Sequence, residues 1–475
     1  MPIIRNNIDM LLKNFIFCTF IVLVCLSPNL KIMPQSLWPT NFHDDKRLVE
    51  LLLIILLLLY NMMFIKKFQS LTLKRPMRHC IYLVITFAIA SSYLAYSPRH
   101  ALIEISLFAG LIYLALFVAD LYYENDTPFI QKVIYIFWAS IFLCMLSFYV
   151  GYIAATVSFT PLTWPAPLTG FTNIRSFNQF QLWTLGLITL PLLTVDFKNT
   201  NTRKWLHLGL MCWWVLLFYS ASRGAILSLG LGILITAMIY RKLAWPFIRL
   251  QLAYIAAGFF GYHVLFQAVP YLRGSAIVTG TVMRDSTSDR IELWSQCLNF
   301  IQNHPFLGIG PMHFAWYSNT NAHPHNSVLQ LMAEWGLPAA LLILAVTGYG
   351  LLCWLRKFNI DNLQHKTKLD CNLAIALFFT VMSSFAYSLV DGVIVMPISQ
   401  VLMFTIIGLM IGYYTKDNVT EVKRKSVFMP IFAAITLVAL IWSTLPEILQ
   451  SASGDAKRFS MGYSAAGPRF WLEVK

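Results

Sequence analysis

Long apolar segments separated by short polar ones recur along almost the whole chain. They lie near 11–27, 48–65, 81–97, 101–121, 132–157, 180–196, 205–220, 224–240, 250–268, 326–354, 371–390, 398–414 and 427–445. About 20 apolar residues in a helix cross the hydrocarbon core of a bilayer, which is roughly 30 Å thick. Because the backbone of a spanning segment must satisfy its own hydrogen bonds, helices are the expected structure. The pattern predicts an all-α polytopic membrane protein with twelve or thirteen transmembrane helices.

Composition supports this class. Of the 475 residues, 58% are hydrophobic and 12% are charged, and the mean hydropathy is +0.64. A soluble domain typically carries about 25% charged residues. The net charge of +14 follows largely from topology, because most Lys and Arg residues fall in alternate loops, as the positive-inside rule expects for a cytoplasmic N-terminus. No basic-aromatic pattern typical of nucleic-acid binding is present in the sequence.

Four regions follow from this topology. Residues 1–268 form N-terminal transmembrane helices, 269–325 a large outer loop, 326–445 C-terminal transmembrane helices, and 446–475 a short tail. An alternative with twelve spans places the C-terminus inside. Within the outer loop, residues 289–303 have helical spacing of apolar side chains, including Ile291, Leu293 and Trp294, with acidic residues near the start. The loop is therefore expected to contain its own helix.

Metal and cofactor motifs are lacking in the sequence. The eight cysteines include no C-x-x-C pair, and seven of them lie in or beside apolar segments. The outer loops hold no Asp-x-Asp pair, and the adjacent Asp44 and Asp45 are interpreted as a solvated turn. The sequence therefore predicts no metal site and no cofactor.

Three arginines in outer segments are candidates for binding an anion. Arg175 lies in the stretch 158–180, after a part rich in Pro and Gly (161–170). Arg223 lies in the turn SASRGA (220–225), and Arg290 lies near the start of the loop helix. An arginine between apolar segments is costly unless it faces water, a partner or an anionic ligand. The alternatives are an interfacial charge at Arg175 and a charge that marks a tight hairpin at Arg223.

Two histidines, His323 and His325, precede the predicted return helix 326–354, which begins at Asn326. A neutral imidazole, with an unperturbed pKa near 6.5, can accept a proton from a sugar hydroxyl as a bond forms. Glu334 lies two turns further along, where an acid is expected to orient a partner or to pair with an arginine. Hydrogen bonding within the loop is the simpler explanation for His323.

These motifs together resemble one family. The series Arg290, Trp294, HPFLGIG (304–310), HPHN (323–326), Glu334 and Gly336, with SRG (222–224) upstream, is similar to the O-antigen ligase superfamily. That group contains lipopolysaccharide O-antigen ligases, O-antigen polymerases and bacterial protein O-oligosaccharyltransferases. The resemblance covers roughly residues 205–345 and is only topological elsewhere.

The resemblance implies a fold similar to the C-type glycosyltransferases and a multi-pass location in the bacterial inner membrane, with the active site on the periplasmic side. The donor would be a glycan on undecaprenyl pyrophosphate, transferred with inversion and without a metal. His325 matches the catalytic base, with His323 left open as the working histidine. Arg223 and Arg290 match arginines that bind the pyrophosphate, and Arg175 is a weaker match. Trp294, Asn326 and Glu334 would support the site.

Several acceptors of the glycan, and one other functional class of protein, are compatible with the sequence. Within the family, the acceptor could be lipid A-core, a growing glycan or a protein. The short tail at 446–475 favours lipid A-core over protein, because protein O-oligosaccharyltransferases of this family often carry a larger C-terminal portion. A transporter or flippase of lipid-linked sugars is the alternative from another class. The long outer loop with its own helix argues against a transporter.

Overall fold

The structure is a computed structural model. It describes residues 2–30, 32, 42–64, 75–160, 162–164, 168, 170–171, 173–195, 200–274, 277–278, 290–318, 321–416 and 428–452. The predicted tail beyond residue 452 and residues 279–289 of the outer loop, which include Arg284, lie outside these residues.

Helices form nearly all of the regular structure in the described residues. In chain order they are α1 (Pro2–Ile21), α2 (Phe42–Met63), α3 (Arg75–Leu94), α4 (Pro98–Asn125), α5 (Thr127–Val157), α6 (Ile174–Ile188), α7 (Leu190–Thr194), α8 (Thr200–Tyr219), α9 (Arg223–Tyr240), α10 (Trp245–His263), α11 (Val269–Arg273), α12 (Arg290–Asn303), α13 (Phe314–Tyr317), α14 (Ser327–Trp335), α15 (Leu337–Lys357), α16 (Ile360–Leu363), α17 (Lys368–Ser388), α18 (Pro397–Thr415) and α19 (Phe428–Ala452).

Short irregular elements complete the architecture. A π-helical turn at Val22–Leu26 extends α1, a second at Val264–Ala268 joins α10 to α11, and a 3-10 turn at Arg241–Ala244 separates α9 from α10. Two strands of two residues each, β1 (Leu162–Thr163) and β2 (Ile277–Val278), pair in parallel. The all-α polytopic fold class predicted from the sequence is confirmed.

Nine segments of the described chain are long and apolar enough to cross a membrane. One of them, Arg223–Arg273, contains both α9 and α10 and so holds two predicted spans. The predicted spans at 48–65, 180–196 and 205–220 coincide with α2, with α6 and α7, and with α8; these helices are not among the nine. The predicted helix at 289–303 is observed as α12.

Close packing places α17 between α6 and α9. A methyl group added at Gly186 of α6 would lie 2.1 Å from the Thr380 hydroxyl oxygen, and one added at Gly232 of α9 would lie 1.9 Å from the Ser383 hydroxyl oxygen. Small residues at such crossings let helix backbones approach closely in membrane proteins. The central part of α17 thereby packs directly on the last turns of α6 and on the middle of α9.

The return helix differs from the sequence prediction. The expected continuous segment 326–354 is broken at Gly336, which has a φ of 82° and separates α14 from α15. Gly336 tolerates this conformation because it has no Cβ, and Pro338 at the start of α15 has no N–H to continue the ladder.

The segment HPFLGIG (304–310) docks on this break. The Ile309 and Gly310 N–H groups donate to the carbonyl oxygens of Ala333 and Glu334 at 2.9 and 3.0 Å, and the Leu337 N–H donates to the Pro305 carbonyl oxygen at 2.8 Å. These bonds satisfy carbonyl groups that the end of α14 leaves free. The glycines of this motif therefore join the loop to the return helix.

The start of α2 also differs from prediction. Asp44 and Asp45, interpreted from the sequence as a solvated turn, are buried together with His43, Lys46 and Arg47 in the first turns of this helix. The expectation was wrong because the partners that allow these charged side chains to be buried come from distant segments of the chain. A local sequence pattern does not show such partners. The Asp45 carboxylate accepts a hydrogen bond from the Ile32 N–H at 3.0 Å.

Candidate active site

His325 lies at the junction between the outer segment and α14. Asn326 caps this helix, since its side-chain oxygen accepts hydrogen bonds from the Val328 and Leu329 N–H groups at 3.1 and 3.0 Å. His325 itself has a φ of 53°, a left-handed conformation that few residues with a side chain adopt. Backbone strain of this kind occurs mainly where surrounding structure fixes a functional side chain.

The imidazole of His325 is held between an anion and a cation. Its Nδ1 lies 3.2 Å from Oδ1 of Asp391, and its Nε2 lies 2.9 Å from Nη1 of Arg175. We assign the proton to Nδ1, which then donates to the carboxylate, because a guanidinium can only donate and Nε2 must accept from it. This tautomer leaves the basic lone pair on Nε2, facing the arginine.

Asp391 lies between α17 and α18 and is buried. Gln179 Nε2 donates to its Oδ2 at 2.8 Å, so α6 supplies both Gln179 and Arg175, four residues apart on one face. Although burial raises the pKa of Asp391, the hydrogen bond and charge of His325 and the hydrogen bond of Gln179 lower it to about 2. The carboxylate is therefore ionised and orients the imidazole.

His323 lies beside His325, with ring centroids 4.3 Å apart. Gly392 makes this position possible, because a methyl group added there would lie 2.4 Å from His323 Nε2. The ligand atoms of His323, His325 and Asp391 lie within 4.8 Å of one another, a donor set that could hold a metal ion. The Arg175 guanidinium against His325 Nε2 opposes a divalent cation at this point and favours an anion.

The other two candidate arginines also reach this site. Burial lowers the pKa of Arg290, and the charges of Arg175 and Arg223 lower it further, whereas Asp391 and Tyr387 raise it. The Arg290 guanidinium is therefore close enough to those of Arg175 and Arg223 for their charges to repel it. A bound polyanion would relieve that repulsion.

Helix ends add to the positive potential. Arg223 and Arg290 are the first residues of α9 and α12, and Arg175 is the second residue of α6. Helix N-termini carry partial positive charge, so cations placed there are destabilising unless an anion binds. The placement therefore indicates an anion-binding surface more than a contribution to stability.

Trp294 and Glu334 support the segment that carries the histidines. Trp294 Nε1 donates to the carbonyl oxygen of Pro324 at 3.1 Å and so ties α12 to the residue before His325. Glu334, fully buried at 0% exposure, accepts from the Phe314 N–H at 2.8 Å and from Gln330 at 3.3 Å. Of the two roles expected for Glu334, these contacts correspond to orienting a partner, here the backbone at Phe314.

The geometry combines a proton acceptor with an anion site. His325, His323, Arg175, Arg223 and Arg290, which are all sequence candidates, are brought together. Sequence reasoning missed Asp391 and Gly392. The available signal was a lone acid followed by glycine between two apolar spans, in SLVDGVIVMP (388–397).

Replacing Asp391 tests its role as the anion that holds His325. Its pKa is depressed from 3.8, so its stabilising contribution is fully present above about pH 4 and is lost as pH falls through about 2. We expect Asp391→Asn to lower the free energy of unfolding by roughly 2 kcal/mol at pH 7 and by progressively less below pH 4. Unfolding in detergent micelles across this pH range measures the difference.

Asp361→Asn, at an exposed position of α16, is the matched control. Equal stability of Asp391→Asn and wild type at pH 7 would contradict a stabilising, ionised carboxylate at this position.

Comparison with known proteins assigns this region to a family. Residues 208–344 match the family model described as O-Antigen ligase. The match runs from α8 into α15 and so includes Arg223, Arg290 and His325, while Arg175 and Asp391 lie outside it. No curated protein matches the chain significantly. The part of the chain that carries the HPHN junction and two of the three candidate arginines is therefore similar to the O-antigen ligase family.

Proposed function

We propose that the protein is a glycosyltransferase of the bacterial inner membrane, which moves a glycan from undecaprenyl pyrophosphate to an acceptor hydroxyl on the periplasmic face. The observation that carries this proposal is the imidazole of His325, which is hydrogen-bonded to Asp391 and Arg175, while Arg290 lies close enough to Asp391, Arg175 and Arg223 to interact with their charges. The acceptor favoured is lipid A-core, since the matching family model is described as O-Antigen ligase.

The proposed reaction uses His325 as general base. The acceptor oxygen attacks the anomeric carbon of the donor sugar, the bond from that carbon to the pyrophosphate oxygen breaks, and the pyrophosphate leaves with the electron pair. The proton of the hydroxyl passes to His325 Nε2. Asp391 stabilises the imidazolium that results, because its carboxylate accepts the Nδ1 hydrogen bond throughout.

The arginines stabilise the leaving group. Pyrophosphate gains negative charge as the bond breaks, and planar guanidinium groups offer paired hydrogen bonds to its oxygens. In the structure Arg175 lies against the lone pair of His325 Nε2. When the donor binds, its phosphates draw this guanidinium away and free the lone pair for the acceptor hydroxyl. Donor binding would thus activate the base.

No metal is required by this proposal. The three guanidinium groups supply the positive charge that a divalent ion gives in other phosphate-dependent enzymes. A carrier of lipid-linked sugars is the competing class, and it would need the arginines but no oriented base. The Asp391–His325 pair therefore favours an enzyme over a carrier.

His325→Ala tests the base directly. We expect kcat for transfer from a polyprenyl-pyrophosphate-linked oligosaccharide to fall by about 10²–10⁴, the usual contribution of a positioned acid or base. His304→Ala, an exposed histidine just after α12, is the matched control and should retain wild-type turnover. Unchanged transfer in His325→Ala together with loss in His323→Ala would assign the base to His323 instead. Unchanged transfer in both variants would remove general-base catalysis by this cluster.

The arginine assignment predicts a change in donor affinity. Arg290→Lys and Arg223→Lys keep the charge but lose the planar, paired donors, so we expect the donor KM to rise about tenfold or more. Arg273→Lys is the control, because Arg273 is exposed and donates to the Thr156 carbonyl oxygen at 3.0 Å. A donor KM within threefold of wild type for both test variants would exclude pyrophosphate binding by these side chains.

The acceptor is tested by competition. Purified enzyme is given radiolabelled donor together with lipid A-core and a pilin-like protein at equal concentration, and label is measured in each. We expect label in lipid A-core. Label in the protein with unlabelled lipid would indicate a protein O-oligosaccharyltransferase, and elongation of the donor glycan itself would indicate a polymerase.

A further inference from the structure

Charged side chains at the start of α2 are buried beside the segments that carry the partners of His325. Lys46, Arg47 and Glu50 are at most 4% exposed. Burying such groups is costly, and apolar side chains in their place are often as stable or more so. The hydrogen bonds of Lys46 and Arg47 show which segments of the chain these side chains hold in place.

Arg47 binds the segment that follows Asp391. Its Nη2 donates to the carbonyl oxygen of Val395 at 2.7 Å, and its Nη1 donates to Glu50 at 2.5 Å and to the side-chain oxygen of Gln400 at 2.6 Å. Gln400 in turn donates to the Ile394 carbonyl oxygen at 2.8 Å. Two successive carbonyl groups are thus fixed three and four residues beyond Asp391.

Lys46 binds the segment that precedes α6. Its Nζ donates to the carbonyl oxygen of Gly170 at 2.5 Å and lies 5.7 Å from the centre of the Phe171 ring. Phe171 packs against Phe177 and Phe180 of α6, with ring centroids 5.4 and 5.8 Å apart. Lys46 therefore anchors the entry to the helix that carries Arg175.

We propose that Lys46 and Arg47 are positioning residues for the proposed transfer reaction: two successive cations of one helix hold the segments of Arg175 and Asp391 on opposite sides of His325. The proposal rests on the function proposed above. Both cations bind backbone carbonyl groups, so they fix the course of the main chain itself. A displacement of about 1 Å at a reacting group can reduce a rate by about 10².

The two residues should affect different kinetic constants. Arg47 acts through Asp391, which serves the base, so Arg47→Met/Glu50→Gln should lower kcat about 10–100-fold with the donor KM within threefold of wild type. Lys46 acts through Arg175, which serves the donor, so Lys46→Met/Asp45→Asn should raise the donor KM about tenfold with kcat within threefold. Arg47→Met/Glu50→Gln removes both charges of the ion pair between Arg47 and Glu50, so neither is left buried without the other. Lys46→Met/Asp45→Asn removes Lys46 together with the neighbouring carboxylate whose charge acts on it.

Arg99→Met/Glu447→Gln is the matched control, because this pair has an N–O distance of 2.6 Å and joins α4 to α19 without contacting the His325 partners. It should leave kcat and the donor KM unchanged. If a double variant is not recovered from membranes, Arg47→Lys and Lys46→Arg should give the same split, about 3–10-fold in size, since the charge is kept and the hydrogen-bond geometry is changed.

Identical changes in both constants for both variants, or no change in either, would overturn the proposal. Wild type and His325→Ala in the same assay distinguish this failure from failure of the proposed function. A cryo-EM structure of Arg47→Met/Glu50→Gln in lipid nanodiscs tests positioning without any assay. We expect Asp391 Oδ1 to move about 1 Å or more from His325 Nδ1, and an unchanged distance would contradict the proposal.

Discussion

The contact between His325 and Asp391 is the interaction on which the candidate site depends. A buried carboxylate at 2% exposure is tolerated only if hydrogen bonds and positive charge surround it, and the imidazole and Gln179 provide them. The same contact selects the histidine tautomer and leaves Nε2 as the basic atom. Stability and chemistry therefore share one hydrogen bond, which explains why a positive φ at His325 is accepted to reach it.

Helix packing supplies the precision that this hydrogen bond needs. Asp391 follows α17, and α17 packs through small residues against α6 and α9, which carry Arg175 and Arg223 in their first turns. The third arginine and the histidines arrive from the outer segment, which is tied to α14 by the HPFLGIG hydrogen bonds and by Trp294. The predicted transmembrane helices thus fix the positions of the charged residues at their ends. A donor whose phosphates lie at the level of the lipid headgroups would meet them there.

Much of this arrangement could be predicted from the sequence, and the failures have physical causes. Apolar runs identified the helices because every spanning segment must be long and apolar. His325, Arg223 and Arg290 stood out because charge and titratable groups are expensive beside such segments. Asp391 could not be recognised as a site residue in the same way. It lies 66 residues from His325 in the sequence, and its role depends on the contact with that histidine. The break at Gly336 was missed because the apolar pattern continues through it, although glycine followed by Leu-Pro is a local sign of a helix end.

The buried charges of α2 show why composition alone cannot locate function in a membrane protein. Asp44 and Asp45 were expected to form a solvated turn, because charged residues are seldom buried without partners. Here the partners of Lys46 and Arg47 include carbonyl groups of segments more than 120 and 340 residues away. Buried carbonyl oxygens outside regular helices need hydrogen-bond donors. Here the Lys46 and Arg47 side chains of α2 donate these hydrogen bonds, so water is not needed for them. The irregular segments on both sides of His325 can therefore be buried and still keep a single conformation, as the proposed proton transfer to a fixed nitrogen atom requires.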